Sequence, residues 1–322
     1  MAATACIKIL APGLQTSVQD LGRFGHARFG VAHSGALDSF AMRTGNLLVG
    51  NPEHEACLET LLMGLRIEAL SDVLIAVTGA DLRPMVDKRL LKMWGSCILE
   101  KGQVLGFTQP ASGCRAYIAV GGGIKVPSVL GSKSTNLPSG FGGFEGRMLQ
   151  AEDILFAASP HDKRFEKGCT LTAGDIPFYP NRWNLRVMWG PQDNDFKRTA
   201  RDTFITATYR ASTDADRTGI RLDGLPLERK EDMPESILSE GVVSGSIQVP
   251  GDGKPIIILA ETVTGGYRKI ATVISADMPL LGQIKPGDEI AFRTVSLEDA
   301  RKALREMESK IQRLKKTSSG IR

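Results

Sequence analysis

The chain has 322 residues, 42% hydrophobic and 24% charged, with 35 Gly, 16 Pro and a formal net charge of +4. That apolar content excludes a disordered chain, and the length points to two domains. The positive surplus is local: Ser296 to Arg322 holds eight Lys/Arg against four Asp/Glu, so the rest is neutral and lacks the footprint of a nucleic-acid-binding surface.

The start, MAATACIKILAPG, has no basic region followed by an apolar one, so no signal peptide is expected, and no apolar run reaches the length of a membrane span. The five cysteines (Cys6, Cys57, Cys97, Cys114, Cys169) are scattered without a C-x-x-C pair, against a disulfide framework or zinc ribbon. A cytoplasmic protein is expected.

Asp38 can cap a helix with an apolar face of Phe40, Thr44, Leu47 and Leu48, stopped by Gly50-Asn51-Pro52. Strands are predicted at Val73–Thr78, Tyr117–Val120, Ile154–Ala157, Leu185–Trp189, Ile256–Ala260 and Ile270–Ile274, each bounded by Gly, Pro, Asp or Ser. A helix is predicted from Asp195 to about Thr206, and another from Leu297 to about Lys315. The second has Leu297, Ala300, Leu304, Met307, Ile311 and Leu314 spaced by threes and fours. It is expected to pack on its own body, its lysines forming the solvated face.

Ile118–Val120, Pro127–Gly131 and Glu152–Phe156 are echoed by Ile270–Val273, Pro279–Gly282 and Asp288–Phe292. With few helices between strands, this predicts a mainly β protein with a few helices, built as two barrel-like lobes. The lobes are read as residues 1–160 and 185–295, joined by a polar segment 161–184 and followed by a basic helix and tail, 296–322.

The glycine-rich stretches fail the nucleotide-loop tests. Gly131-Ser132-Lys133-Ser134-Thr135 lacks Walker spacing, and Gly140 to Gly146 does not join a strand to a helix. What survives is an anion cradle of backbone N–H groups with Lys133 and Arg147, against the plainer reading of turns between strands. His26, His33, His54 and His161 show no metal-binding spacing, so no metal is expected.

Two blocks carry more information. Pro12 to Arg23, continuing through Ser34–Asp38, presents Gln19, Asp20, Arg23, Ser34 and Asp38 among glycines. Amide, carboxylate and guanidinium groups suit a planar amide or ureido ligand; equally, an Asp20–Arg23 ion pair could simply pin the loop. In the second block Gln248 ends an apolar run before Pro250, where a polar side chain often faces a cavity. Thr264-Gly265-Gly266 can offer backbone donors to an oxyanion, with Tyr267 and Lys269 nearby.

Together these blocks resemble the allophanate hydrolase subunit 2 or KipA-like family, also called the C subunit of bacterial 5-oxoprolinase. They are similar as well to the A–B part of the urea carboxylase carboxyltransferase domain. The resemblance rests on PGLQTSVQDLGRFG (12–25), SGALD (34–38), NLLVGNPE (46–53), RAYIAVGGGIKVPSVLGSKST (115–135), GGFEGR (142–147), DADRTGIRLDG (214–224), SEGVVSGSIQVP (239–250) and TGGYRKIATVISAD (264–277). It implies two cyclophilin-like β-barrel lobes and ATP-dependent opening of 5-oxoproline to glutamate. The implied partners are a KipI-like B subunit (PxpB) and a PxpA-like A subunit.

The alternative it implies is carboxyl transfer from carboxybiotin, with a biotin carboxylase and a carrier on other polypeptides, since no Met-Lys-Met attachment motif is present. A non-catalytic KipA-type regulator binding a KipI-like partner is the third. Carried onto this chain, the resemblance assigns Gln248 and the Thr264–Gly266 backbone to carbonyl recognition, and Tyr267 and Lys269 to proton transfer or anion stabilisation. Asp20 and Arg23 would orient the substrate, and Gln19, Ser34, Asp38 and Arg217 would contact it. Lys133 and Arg147 would take a phosphate or carboxylate. Glu261 replaces the usual Asp and Thr218 the usual Met of the family motifs, departures that bear on substrate rather than fold.

Overall fold

Short apolar runs cut by glycine and proline form strands rather than helices. The computed structural model describes residues 3–158 and 168–319, and it is mainly β with four α-helices among those residues.

The chain divides into two units. The first holds residues 1–23, 34–179 and 308–322; the second holds residues 24–33 and 180–307. The first unit thus runs on to Tyr179, inside the segment 161–184 read as the connector. The reason is local: the Gly95–Thr170 bridge and a Tyr179 hydroxyl donating to Asp38 at 2.7 Å tie residues 168–179 to the first unit. The first part of the segment read as a connector, 161–167, lies outside the described residues, as does His161.

The first unit contains two sheets. One runs Ile154–Ala157, Thr4–Pro12, Leu65–Ala69, Val104–Phe107, Pro84–Val86, Arg89–Leu90. The other runs Thr16–Gln19, Cys57–Leu61, Ser112–Val120, Val73–Asp81, Gly95–Leu99. Val73–Asp81 is buried almost throughout, so it reads as a continuous apolar run instead of alternating. Helix α1, Ser39–Leu48, packs on the second sheet. Its predicted cap is present: Asp38 Oδ1 accepts from the Ala41 amide at 2.9 Å, worth about 1 kcal/mol. Gly50, at φ 73°, supplies the left-handed residue just past the helix end.

The second unit is a closed seven-stranded barrel. Its order is Arg182–Trp189, Arg268–Val273, Ser246–Val249, Ile256–Ile258, Gly219–Asp223, Tyr209–Ala215, Glu289–Thr294. A parallel pairing of the first and last strands closes it. Alternation decides the faces. Ile220, Ile257 and Ile247 pair across adjacent strands and are buried in the core. The helix predicted from Asp195 splits into a 3-10 turn, Asp193–Asp195, and α2, Arg198–Thr206. Phe204 of α2 stacks on Phe292 of the barrel at 4.6 Å between ring centroids.

The last helix runs from Leu297 to Ser319, longer than predicted. Ile311 of its apolar seam is fully buried, whereas Leu297 is half exposed. Within the first unit, Arg43 bridges Glu308 and Glu53, and Lys310 sits over the Phe40 ring. The helix therefore packs on its own body.

Candidate functional site

In the first unit, the predicted residues spend their polar groups on one another. The Gln19 amide donates to Ser17 Oγ at 2.9 Å and to the Thr135 carbonyl at 3.2 Å, and accepts from the Gly35 amide. The Asp20 carboxylate accepts from the Gly22 and Lys133 amides and from the Ser132 and Ser134 hydroxyls, all within 2.7 Å. Arg23, buried, donates to Ser34 Oγ and to the Ser134 carbonyl, and its guanidinium lies 4.7 Å from the Phe141 ring centroid. Asp38 caps α1 with one oxygen and accepts from Tyr179 with the other. Burial pushes the Tyr179 and Tyr117 hydroxyls well above the usual phenol range, so both stay protonated donors, Tyr117 to Glu59 at 2.7 Å. This arrangement holds the loop to the strand Thr16–Gln19.

Lys133 is engaged by Glu55. Arg147 reaches both oxygens of Asp153, at 2.8 and 3.0 Å, and Glu145 as well. The Arg147 bridge holds the Asp153 carboxyl below its usual range. Both cations are thus matched by carboxylates of the chain itself.

The second unit is different. A cavity of about 500 Å³ lies on the outside of the barrel. Gln248, Thr264, Gly265 and Tyr267 line it, with Ile256 and Arg221. Gln248 is only 4% exposed, and its Nε2 has no hydrogen-bond partner among the described residues. A buried unpaired amide donor costs about 1–3 kcal/mol, which makes this nitrogen the candidate donor of the cavity.

A two-stranded ribbon, Glu240–Gly241 with Thr264–Gly265, covers Gln248. A Cβ on Gly265 would stand 2.3 Å from Gln248 Nε2, so a larger residue there would displace that amide. Lys269 and Glu240 anchor the ribbon. The buried Lys269 ammonium pairs with Glu240, whose carboxylate also accepts from Gln192 Nε2 at 2.8 Å. The Lys269 bond holds the Glu240 carboxyl below its usual range.

The second-unit residues predicted together are only partly brought together. Gln248, Thr264, Gly265 and Tyr267 share the cavity; Lys269, Gly266 and Arg217 do not line it. Arg217 forms a buried ion pair with Glu261 at 3.0 Å, fixing the loop after Ile256–Ile258 to the turn before Gly219–Asp223. Arg221, Asp214 and Asp216 were missed as lining residues. For Arg221 a signal was present: it alternates with the buried Ile220 and Leu222, so it had to point outward. Among the described residues no cluster of three His, Cys, Asp or Glu could hold a metal ion.

The family model of the carboxyltransferase domain, subdomain A and B, matches residues 29–294. The chain belongs to this carboxyltransferase family. Within that family it is 38% identical over 310 residues to the 5-oxoprolinase C subunit of Escherichia coli (strain K12), covering 96% of this chain and 97% of that one. It is 37% identical over 311 residues to the protein of the same name from Haemophilus influenzae, covering 96% and 98%. The putative urea carboxylase of Emericella nidulans is 34% identical over 314 residues, which span 94% of this chain and 25% of that protein. Among solved structures, the K. lactis urea amidolyase superposes with a TM-score of 0.91 at 29% identity, covering 98% of this carboxyltransferase-family chain. The match spans only 20% of the amidolyase, so the family fold here corresponds to one part of that larger protein.

Proposed function

We propose that this chain is the C subunit of an ATP-dependent 5-oxoprolinase, opening the lactam of 5-oxoproline to L-glutamate together with A and B subunits in the cytoplasm. The observation that carries the reading is likeness: over 96% of its length the chain is 38% and 37% identical to two 5-oxoprolinase C subunits, against 34% for the urea carboxylase. The cavity suits the chemistry. A lactam carbonyl is a planar acceptor, and Gln248 Nε2 is a fixed donor with nothing else to bind among the described residues.

In the reaction, water adds across the ring C–N bond. Its oxygen stays on the carbonyl carbon as the new carboxylate, and the ring nitrogen leaves as the α-amine. Negative charge grows on the carbonyl oxygen as this happens, and a preorganised buried N–H gains strength with it. Tyr267, exposed at the cavity, would pass a proton to the departing nitrogen. Lys269 supports the ribbon rather than the reacting atoms.

ATP cleavage would drive the opening. Lys133 and Arg147, the two cations the resemblance would give to a phosphate, are both matched by carboxylates of this chain. The nucleotide is therefore assigned to a partner subunit. Biotin enters only the second reading, a carboxyltransferase subunit served by a separate biotinylated carrier, which the likeness to urea carboxylase and amidolyase favours.

The test is glutamate release from 5-oxoproline and ATP by this chain mixed with its B and A partners, with and without avidin. Glutamate that requires all three chains and ignores avidin supports the lactam-opening reading. No glutamate from an intact complex, or avidin-sensitive turnover, moves the assignment to carboxyl transfer.

A further inference from the structure

Strand register puts a cation and the orphan amide in one row. Arg221 pairs with Ile256, and Ile256 pairs with Gln248, across three neighbouring barrel strands. Directly opposed residues project from the same face of a sheet, and all three line the cavity. The outer two backbones stand about 10 Å apart, two strand spacings. The half-buried Ile256 side chain lies between them as an apolar floor. At one end is the buried, unpaired Gln248 Nε2; at the other is Arg221, exposed, with no ion pair or side-chain hydrogen bond among the described residues.

We propose that Arg221 determines the substrate class of this cavity: it binds the carboxylate of a compact lactam acid whose carbonyl oxygen is held by Gln248. The inference rests on the reading of the cavity as the substrate site. In 5-oxoproline the lactam oxygen and the carboxylate carbon are about 5 Å apart by ordinary bond lengths. The long arginine side chain closes the rest of the span, and the ring methylenes lie on Ile256. A guanidinium presents paired donors that match a carboxylate, which a neutral amide would leave unused.

The rim is otherwise acidic. Asp214 and Asp216 also line the cavity, and the Asp216 carboxylate is turned onto the Thr218 and Gly219 amides at 2.7 and 3.0 Å. Two acidic groups at the mouth would repel an anionic ligand unless a cation offset them. Arg221 is that cation. Without it the cavity would favour neutral amides.

Calorimetric titration of the full-length chain, alone and in the assembled complex, tests this with 5-oxoproline and with 2-pyrrolidinone, the same lactam without the carboxylate. Arg221→Met is expected to weaken 5-oxoproline binding roughly tenfold and to leave 2-pyrrolidinone binding unchanged, with Arg221→Lys recovering part of the loss. In turnover the loss should fall on KM more than on kcat, because the carboxylate contact is the same in the ground and transition states. Three results overturn the assignment: no 5-oxoproline binding to the wild type, binding that Arg221→Met leaves intact, or an equal loss for both ligands. Arg221-dependent binding by a complex that releases no glutamate would keep this inference and remove the lactam-opening reading. Glutamate release with a KM indifferent to Arg221 would do the reverse.

Discussion

Gln248 lies directly beneath Gly265, so close that any Cβ on the glycine would stand 2.3 Å from the amide nitrogen. The contact joins the barrel strand Ser246–Val249 to the covering ribbon, and it sets where the orphan donor points. Gly265→Ala should displace the Gln248 amide, the far end of a flexible side chain, and leave the barrel intact. Substrate binding is expected to weaken by about the worth of one buried hydrogen bond, roughly 1 kcal/mol or fivefold. The thermal midpoint should move little. Titration calorimetry and a melting curve on the same variant check both halves.

Asp20 carries the opposite expectation. Its carboxylate satisfies four donors in the first unit, so Asp20→Ala leaves buried N–H and O–H groups without an acceptor. A stability loss of about 3 kcal/mol is expected in urea denaturation. Activity should fall in proportion to the unfolded fraction. A stable Asp20→Ala variant with abolished turnover would instead give Asp20 a direct catalytic role.

Lys133→Gln and Arg147→Gln test the nucleotide assignment. Both cations are already matched by carboxylates, so neither substitution is expected to change the KM for ATP of the complex. A rise of roughly tenfold or more in either variant would place ATP phosphates on this chain.

The last helix should loosen in acid. The hydrogen bond from Arg43 holds the Glu308 carboxyl below its ordinary value of 4.5. A carboxyl whose folded pKa is depressed contributes stability above its unfolded pKa, and that contribution is lost as pH falls through the lowered folded value. Wild type should therefore exceed Glu308→Gln in melting temperature at pH 7, by up to about 1 kcal/mol in stability. The difference should shrink steadily below pH 4.5. Paired melting curves from about pH 7 to pH 3 would show it.

Much of this molecule was legible in the order of its residues. Apolar runs between glycines and prolines located the strands Val73–Asp81, Ser112–Val120 and Ile154–Ala157, because burial on a sheet demands such runs. Asp38 announced the start of α1, since a helix needs an acceptor for its first amides and a short carboxylate supplies it locally. Gln248 stood out as a polar residue at the end of an apolar strand, and it lines the cavity. These features depend on neighbours within a few positions along the chain.

Tertiary structure decided the rest, because a side chain's role depends on which distant partner reaches it first. By sequence Lys269 reads as a reactive cation; in the fold Glu240, 29 residues away, holds it. Asp20 is occupied by Ser132 and Ser134, more than a hundred residues further on. Arg221 drew no notice within its own segment, and only the register of three strands set it in a row with Ile256 and Gln248. Sequence determined the strands and which residues could do chemistry. Long-range pairing determined which of them were left free to do it.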